Sequence, residues 1–188
     1  AAHGWVADRL GDPTARQLGR ITLNPIPHID PVGTILLPIL MLTFTVFLIG
    51  WAKPVPVSVA RLQSPNRDMA IVAAAGPGVN FLMPALWSLV LLLAHGLIHS
   101  AQVIALPLLL MAVAGVFVNL VLMAINLLPV PPLDGGRILT GLLPTGASRV
   151  FARIEPYGLN ILIALLISGV VGMILGPVVY GSVALLPC

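Results

Sequence analysis

Two residues whose side chains can hold a metal ion lie far apart in the chain. His3 stands in AAHGWVAD at residues 1–8, and Asp134 stands in NLLPVPPLDGGRIL at residues 126–139. Neutral imidazole and carboxylate groups are both protein ligands of zinc. Each residue also has an ordinary interpretation: His3 as an interfacial histidine near a helix end, and Asp134 as part of an Asp-Gly turn. Taken singly, neither residue decides between the two interpretations.

The spacing around His3 favours metal chemistry. AAHGW is the stretch that would follow His-Glu in an H-E-x-x-H motif. In that motif two histidines on one helix face bind zinc, and the glutamate acts as general base. A further ligand then comes from elsewhere in the chain, and Asp134 fits that need. Because the chain begins with Ala1 and not with Met, we expect an N-terminal truncation that removes an upstream helix and the His-Glu pair.

Composition indicates that a membrane surrounds these residues. The 188 residues are 59% hydrophobic and 8% charged, whereas about 25% of the residues of a typical soluble domain are charged. Such a chain cannot cover a water-facing surface with polar groups, which predicts an integral membrane protein. The net charge of +3 comes without a basic run or interleaved aromatic and basic residues. We therefore expect the lipid bilayer, and no nucleic acid, as a partner.

Long apolar runs predict the membrane-spanning helices. Residues 69–98, 102–129 and 159–180 are each long enough to cross the hydrocarbon core, which takes about 20 helical residues. Residues 35–50 are apolar too, but this run is shorter and contains Pro38 near its start. We expect 35–50 to be a re-entrant or hairpin segment, with a full crossing as the alternative.

The basic residues fall in three loops. The positive-inside bias places the second and third of these loops in the cytoplasm, two crossings apart. A re-entrant 35–50 would bring the first loop to the same side. The three groups are Arg9, Arg16 and Arg20; Lys53, Arg61 and Arg67; and Arg137, Arg149 and Arg153.

Two proline-rich stretches are predicted to be extended. The first is TLNPIPHIDPVG at residues 22–33, because residues before proline avoid the helical region. The second is KPVPVSV at residues 53–59, which is typical of an edge segment. We expect its first five residues to bind an unwound substrate strand by partial edge pairing, since prolines limit the donors. These residues are Lys53, Pro54, Val55, Pro56 and Val57.

The order of these stretches resembles the site-2 protease family, the intramembrane zinc metalloproteases (peptidase M50-like), and above all its compact bacterial members without a PDZ domain. The Asn-x-x-Pro-x-Pro-x-x-Asp-Gly spacing is specific, whereas the AGPxxN piece adds weight only through its place in the order. The resemblance rests on AAHGWVADRLGDPTARQLGRITLNPIPHIDPVGTILLP (1–38), GWAKPVPV (50–57), AAAGPGVN (73–80) and NLLPVPPLDGGRIL (126–139).

The resemblance implies roles for three residues. His3 matches the second histidine of the family's zinc motif, and Asp134 matches its distal zinc ligand. Asn126 matches an asparagine that the family keeps close to the zinc, where it could bond the substrate carbonyl or the developing oxyanion. A helix-to-helix hydrogen bond, which is common in membranes, is the alternative for Asn126.

Other polar residues are weaker candidates. Gly76, Pro77 and Asn80, in AAAGPGVN (73–80), lie inside a predicted span and are expected to serve helix packing. His28 lies in the proline-rich loop, where the family also keeps a histidine, and it could fix that loop or act directly. His95 and His99 form H-x-x-x-H without a glutamate, and we expect them to be interfacial.

The sequence thus predicts an all-α polytopic membrane protein: a multi-helix transmembrane bundle with Pro-rich extended or re-entrant segments near the active site, forming one metalloprotease domain over residues 1–188. The resemblance implies a zinc-dependent intramembrane endopeptidase of the bacterial inner membrane, multi-pass, with one Zn2+ per chain. Its site would lie near the cytoplasmic side and its substrates would be transmembrane proteins. The alternative is an inactive relative that acts as a membrane scaffold or binding protein. A small transporter is disfavoured, because no inverted repeat is visible. The sequence indicates no oligomeric state.

Overall fold

The computed structural model describes residues 1–44, 50 and 52–183, and these residues are organised by helices, with no strand among them. This confirms the predicted all-α class. Contacts divide the chain into two compact units, residues 1–68 and 69–188. The assignment of all 188 residues to one metalloprotease domain stays a prediction.

The first unit begins with two short helices that pack on each other, α1 (Ala2–Arg9) and α2 (Thr14–Gln17). Small side chains allow the close packing, since Ala7 of α1 and Ala15 of α2 are fully buried. The chain turns between the helices at Gly11, whose φ of 107° lies in the region that favours glycine.

The apolar run near residue 35 starts as a helix. A single π-helical stretch over Pro31–Leu36 leads into α3 (Leu37–Phe44). The Asp30 carboxylate caps its start by accepting from the N–H groups of Val32 at 3.0 Å and Gly33 at 2.8 Å. Stretches of 6 and 8 residues together are shorter than the about 20 that a crossing needs. The predicted re-entrant or hairpin element covers residues 35–50, of which 45–49 lie outside the described residues, and it stays a prediction.

Two membrane-length helices follow along the chain, as the sequence predicts. After a 3-10 turn at Val59–Arg61 come α4 (Pro65–Gly96) with 32 residues and α5 (Gln102–Asn126) with 25 residues. Of the described helices, these two are long and apolar enough to cross a membrane. They approach closely where the Trp87 ring of α4 lies over Gly115 of α5, because a β-carbon on Gly115 would overlap that ring.

The remaining helices are shorter, and the predicted third span is broken. They are α6 (Asp134–Leu142), α7 (Thr145–Ala152), a 3-10 turn at Glu155–Tyr157, α8 (Gly158–Ile167) and α9 (Val170–Val183).

The break in the third apolar run lies at Ser168–Gly169, between α8 and α9. Gly169 has a φ of +75°, a conformation that ends a helix and that glycine adopts without steric cost. The span expected over residues 159–180 is therefore divided between two helices, neither of which is long enough to cross a membrane by itself. A third crossing would need the bent pair Thr145–Tyr157 and Asn160–Ile167, whose axes meet at 71°. Helix α9 packs against α5 and α8.

Candidate metal and substrate site

The helix that carries His3 packs closely against its neighbours at Gly4. His3 is half-buried on α1, and the next residue, Gly4, is buried. A β-carbon on Gly4 would stand 2.8 Å from Cβ of Ala15, 3.0 Å from Cγ1 of Val55 and 3.5 Å from Cγ1 of Ile21. Real β-carbons essentially never approach other carbon atoms within 3.0 Å, so only glycine fits here. The expected metal-binding helix and the expected substrate segment are therefore in direct contact.

The segment 52–58 runs without helical structure and is fixed at both ends. The N–H of Lys53 donates to the carbonyl oxygen of His28 at 2.9 Å. The N–H of Ser58, whose backbone is extended (φ −94°, ψ 100°), donates to the Asp12 carboxylate at 2.6 Å. Lys53 and Pro54 are exposed, and residues 55–57 are half-buried. The predicted extended conformation is consistent with these contacts, whereas substrate binding stays a prediction.

Hydrogen bonds among its own residues hold the proline-rich loop before α3 in shape. Nε2 of His28 lies 3.3 Å from the carbonyl oxygen of Thr22. The Arg20 guanidinium donates to the carbonyl oxygen of Pro27. Since the His28 carbonyl also accepts from Lys53, the loop supports the segment 52–58. Of the two roles considered for His28, this geometry favours the one that fixes the loop.

Asp134 is the first residue of helix α6, and the two glycines that follow it are buried. A β-carbon on Gly135 would overlap the carbonyl oxygens of Leu127 and Leu128, and one on Gly136 would stand 2.5 Å from the backbone nitrogen of Pro131. The Asp-Gly-Gly sequence therefore lets the first turn of α6 rest directly on the chain that follows α5. A carboxylate in the first turn of a helix interacts favourably with the positive end of the helix dipole. Asp134 itself is half-buried.

Asn126 is the last residue of α5, and it is half-buried. The seven residues between it and Asp134 fold into tight turns, with Val130 N–H donating to the Leu128 carbonyl at 2.7 Å and Leu133 N–H to the Val130 carbonyl at 2.9 Å. The sequence signature thus becomes a compact connection from a membrane-length helix to the helix that starts with Asp134.

Gly158 supports the same connection, although it belongs to none of the sequence motifs. This residue opens α8, and a β-carbon there would overlap the carbonyl oxygen of the buried Pro131. Its signal in the sequence is a single glycine at a predicted helix start, which is too common to single out. Asp12 and Gly4 were missed for a similar reason, because their partners are distant in sequence.

The donor chemistry of the candidate ligands fits two positions of a zinc site. Within the described ranges 1–44, 50 and 52–183, no group of three His, Cys, Asp or Glu side chains is placed to hold a metal ion. An imidazole on one helix and a carboxylate at the start of another are the ligand types of catalytic zinc, which usually has three protein ligands. The ligand roles of His3 and Asp134, and the role of Asn126, stay predictions.

The other polar candidates lie in the long helix α4 or at its end. The motif at residues 73–80 is inside α4, where Pro77 is buried and Asn80 half-buried. His95 and His99 are exposed at the end of α4 and just after it. These positions fit the expected roles in packing and at an interface.

Comparisons with known proteins identify the family. The model of "Peptidase family M50" matches residues 94–169. "Putative zinc metalloprotease YwhC" of Bacillus subtilis is 37% identical over 177 residues, covering 94% of this chain and 78% of that protein. "Putative zinc metalloprotease Rip2" of Mycolicibacterium smegmatis is 30% identical over 177 residues, covering 88% of this chain and 61% of that protein. No solved structure matches significantly. The chain therefore belongs to peptidase family M50, the site-2 protease family.

Proposed function

We propose that this chain is the core of a zinc-dependent endopeptidase that cleaves transmembrane proteins within or near the membrane. The observation that carries the proposal is the placement of Asp134. Its carboxylate opens helix α6 directly after the membrane-length helix α5, on a turn that only glycines at 135 and 136 allow. Ionisable groups at such positions are costly and tend to be functional. The names of the two relatives, each printed as "Putative zinc metalloprotease", support the same reaction class.

His3 and Asp134 would hold one Zn2+ per chain, in the positions of the second histidine and the distal ligand of the family's zinc motif. Bound zinc polarises a scissile carbonyl and lowers the pKa of its water to about 7. Asn126 would donate from its side-chain amide to the scissile carbonyl oxygen, where charge develops.

A transmembrane substrate must unwind first, because a helix engages its carbonyls in hydrogen bonds four residues apart. The segment 53–57 would hold the unwound strand. Pro54 and Pro56 have no N–H and offer only carbonyl acceptors, so donors to the substrate would come from Val55 and Val57. The contact between Val55 and Gly4 supports this role, because it places the segment against the helix of His3.

The charge distribution supports the proposed membrane setting. We propose a multi-pass protein of the bacterial inner membrane, with α4 and α5 crossing the bilayer. Arg137 follows Asp134 within α6, and Arg149 lies in α7. Basic residues concentrate on the cytoplasmic side, so the carboxylate of Asp134 would lie near that side, where water can reach it.

Metal content and cleavage test the proposal together. The full-length protein is purified in detergent and reconstituted with single-span reporter peptides that carry a central helix-breaking residue. The wild type should contain one zinc per chain and cleave the reporters. Asp134→Ala should lose zinc and cleavage while its helical circular dichroism is unchanged.

Glu155→Ala is the matched control. Glu155 is exposed, and its carboxylate lies 3.9 Å from the Arg137 guanidinium, a surface pair worth about 0–1 kcal/mol. It should keep zinc and activity. Full cleavage by Asp134→Ala would disprove the ligand role. A folded wild type with neither zinc nor cleavage would instead support the alternative, a membrane scaffold or binding protein.

A further inference from the structure

Asp12 is a buried carboxylate that the proposed reaction does not use. It lies between α1 and α2, and its side chain is 0% exposed. A buried charge is retained only where hydrogen bonds or opposite charges compensate the lost hydration. Its partners therefore show what the carboxylate does in the fold.

Both oxygens of the Asp12 carboxylate accept hydrogen bonds. Oδ1 accepts from the N–H of Thr14 at 3.1 Å and from the Thr14 hydroxyl, and Oδ2 accepts from the N–H of Ser58 at 2.6 Å. The Arg61 guanidinium donates to Oγ1 of Thr14 at 3.3 Å, which brings a positive charge close. Burial by itself would raise the pKa of Asp12, but the bonds from Thr14 and Ser58 and the charge of Arg61 hold it below its usual value.

The bond to Ser58 is the long-range one. It joins residues 46 positions apart, and Ser58 directly follows the expected substrate segment 53–57. The opposite end of this segment is bonded through Lys53 to His28, and its middle residue Val55 lies on Gly4. The bonds from Thr14, at the start of α2, use Oδ1 alone, whereas Oδ2 accepts from the distant Ser58.

We propose that Asp12 is a positioning residue for substrate: its carboxylate fixes the position and register of residues 53–57 against helix α1, which carries His3. This role rests on the proposed function of the segment as the substrate-binding strand. Without the bond to Ser58, the segment 53–57 would keep its contacts at Lys53 and Val55, but it would be free to shift along or away from α1. Substrate would then bind less well, while the groups that act on the scissile bond stay in place.

The first measurement does not depend on catalysis. Hydrogen exchange of the full-length protein is followed in a peptide that covers residues 53–58, where four amides exchange because Pro54 and Pro56 have none. Asp12→Ala should raise the exchange rate at Ser58 by about tenfold, the factor that corresponds to one lost hydrogen bond. Asp12→Asn should give a smaller increase, because the amide has one oxygen and can serve only one of the two N–H donors.

Asp68→Asn is the matched control. Asp68 is also a buried carboxylate of the first unit, 6% exposed, and its Oδ2 accepts from the N–H of Ser64 at 2.7 Å. Asp68→Asn removes a comparable buried charge near the start of α4, while the remaining side-chain oxygen can still accept from Ser64. The exchange rate at Ser58 should not change in this variant.

The second measurement is steady-state cleavage of the reporter peptides. Asp12→Asn and Asp12→Ala should raise KM by about threefold and tenfold, with kcat changed less than about twofold, whereas Asp68→Asn should leave both constants unchanged. A general loss of stability would not separate KM from kcat in this way.

Three outcomes would contradict, in turn, the bond that fixes the segment, the role of the segment in substrate binding, and the proposed function. Unchanged exchange at Ser58 in Asp12→Ala would show that the carboxylate does not fix the segment. Faster exchange with unchanged KM would show that the segment does not position substrate. If the wild type binds zinc but does not cleave, the proposed function fails and the positioning role fails with it.

Discussion

The side chain of Val55 lies against the backbone of Gly4, so that a β-carbon on Gly4 would stand 3.0 Å from Cγ1 of Val55. The same β-carbon would stand 2.8 Å from Cβ of Ala15, which is fully buried. Three parts of the first unit therefore meet at one glycine: the helix of His3, helix α2 and the extended segment. Close packing at this point leaves no room for a methyl group unless one of these parts moves.

Gly4→Ala is expected to destabilise the protein and to reduce cleavage. An alanine in a helix usually gains about 0.5–1 kcal/mol over glycine, but overpacking a filled site costs about 1–3 kcal/mol. The net effect should be a loss of roughly 1 kcal/mol, with a larger loss of activity because Val55 is displaced. The unfolding midpoint in detergent and the reporter cleavage rate measure the two effects.

Gly78→Ala provides the comparison for this prediction. Gly78 is also helical, and a β-carbon there would meet no described atom within 4 Å. This variant should be as stable as the wild type or slightly more stable. If Gly4→Ala behaved like Gly78→Ala, the close contact with Val55 would have no energetic consequence.

Gly158→Ala is expected to disturb the site of Asp134 from a distance of 24 residues in sequence. Its β-carbon would overlap the carbonyl oxygen of Pro131, in the turn that leads into α6. The turn must shift, so zinc content and cleavage should both fall. Gly172→Ala in α9 has open space among the described residues and should keep both. Normal zinc content in Gly158→Ala would show that the turn tolerates the shift.

The two long helices could be predicted from the sequence, because hydropathy over about 20 residues is a local property of the chain. The broken third span could not. Residues 159–180 are apolar on both sides of Gly169, and the positive φ of that glycine leaves no mark in hydropathy. Apolar composition predicts that a segment is buried in lipid, but it does not predict where the helix within that segment breaks.

The candidate ligands could be found because His3 and Asp134 belong to short motifs with fixed spacing. Their supports could not be found in that way. Ser58 and Asp12 are 46 residues apart, and Gly158 reaches Pro131 across helices α6 and α7. Such pairs are set by tertiary packing, which no local pattern of residue types encodes.

Asn126→Ala is expected to lower kcat by a factor of about 10²–10³ with little change in KM, if the amide stabilises the developing oxyanion. Asn119→Ala is the control on the same helix, because the Asn119 amide donates to the Gly115 carbonyl of its own helix at 2.7 Å. It should leave kcat within about twofold. A helix-to-helix bond at Asn126 would instead cost about 0.6–2 kcal/mol of stability without a selective loss of kcat.

The stability contributed by Asp12 is expected to depend on pH. Its pKa in the folded protein lies below the ordinary 3.8, because the bonds from Thr14 and Ser58 and the charge of Arg61 outweigh the effect of burial. The ionised group therefore stabilises the fold fully above pH 3.8, and this stabilisation is lost as the pH falls through the lower pKa of the folded state. At pH 7, Asp12→Asn should unfold with about 1–3 kcal/mol less stability than the wild type.

Thermal unfolding of the wild type and Asp12→Asn in detergent at pH 7, 5, 4 and 3 measures this gap. The difference between the two proteins isolates Asp12, since the other carboxylates titrate in both. The gap should be constant from pH 7 to pH 5 and should shrink below pH 4, because protonated aspartic acid and asparagine are both neutral and similar in shape. A gap of the same size at every pH would show that the bond to Ser58, and not the charge of Asp12, carries the whole contribution.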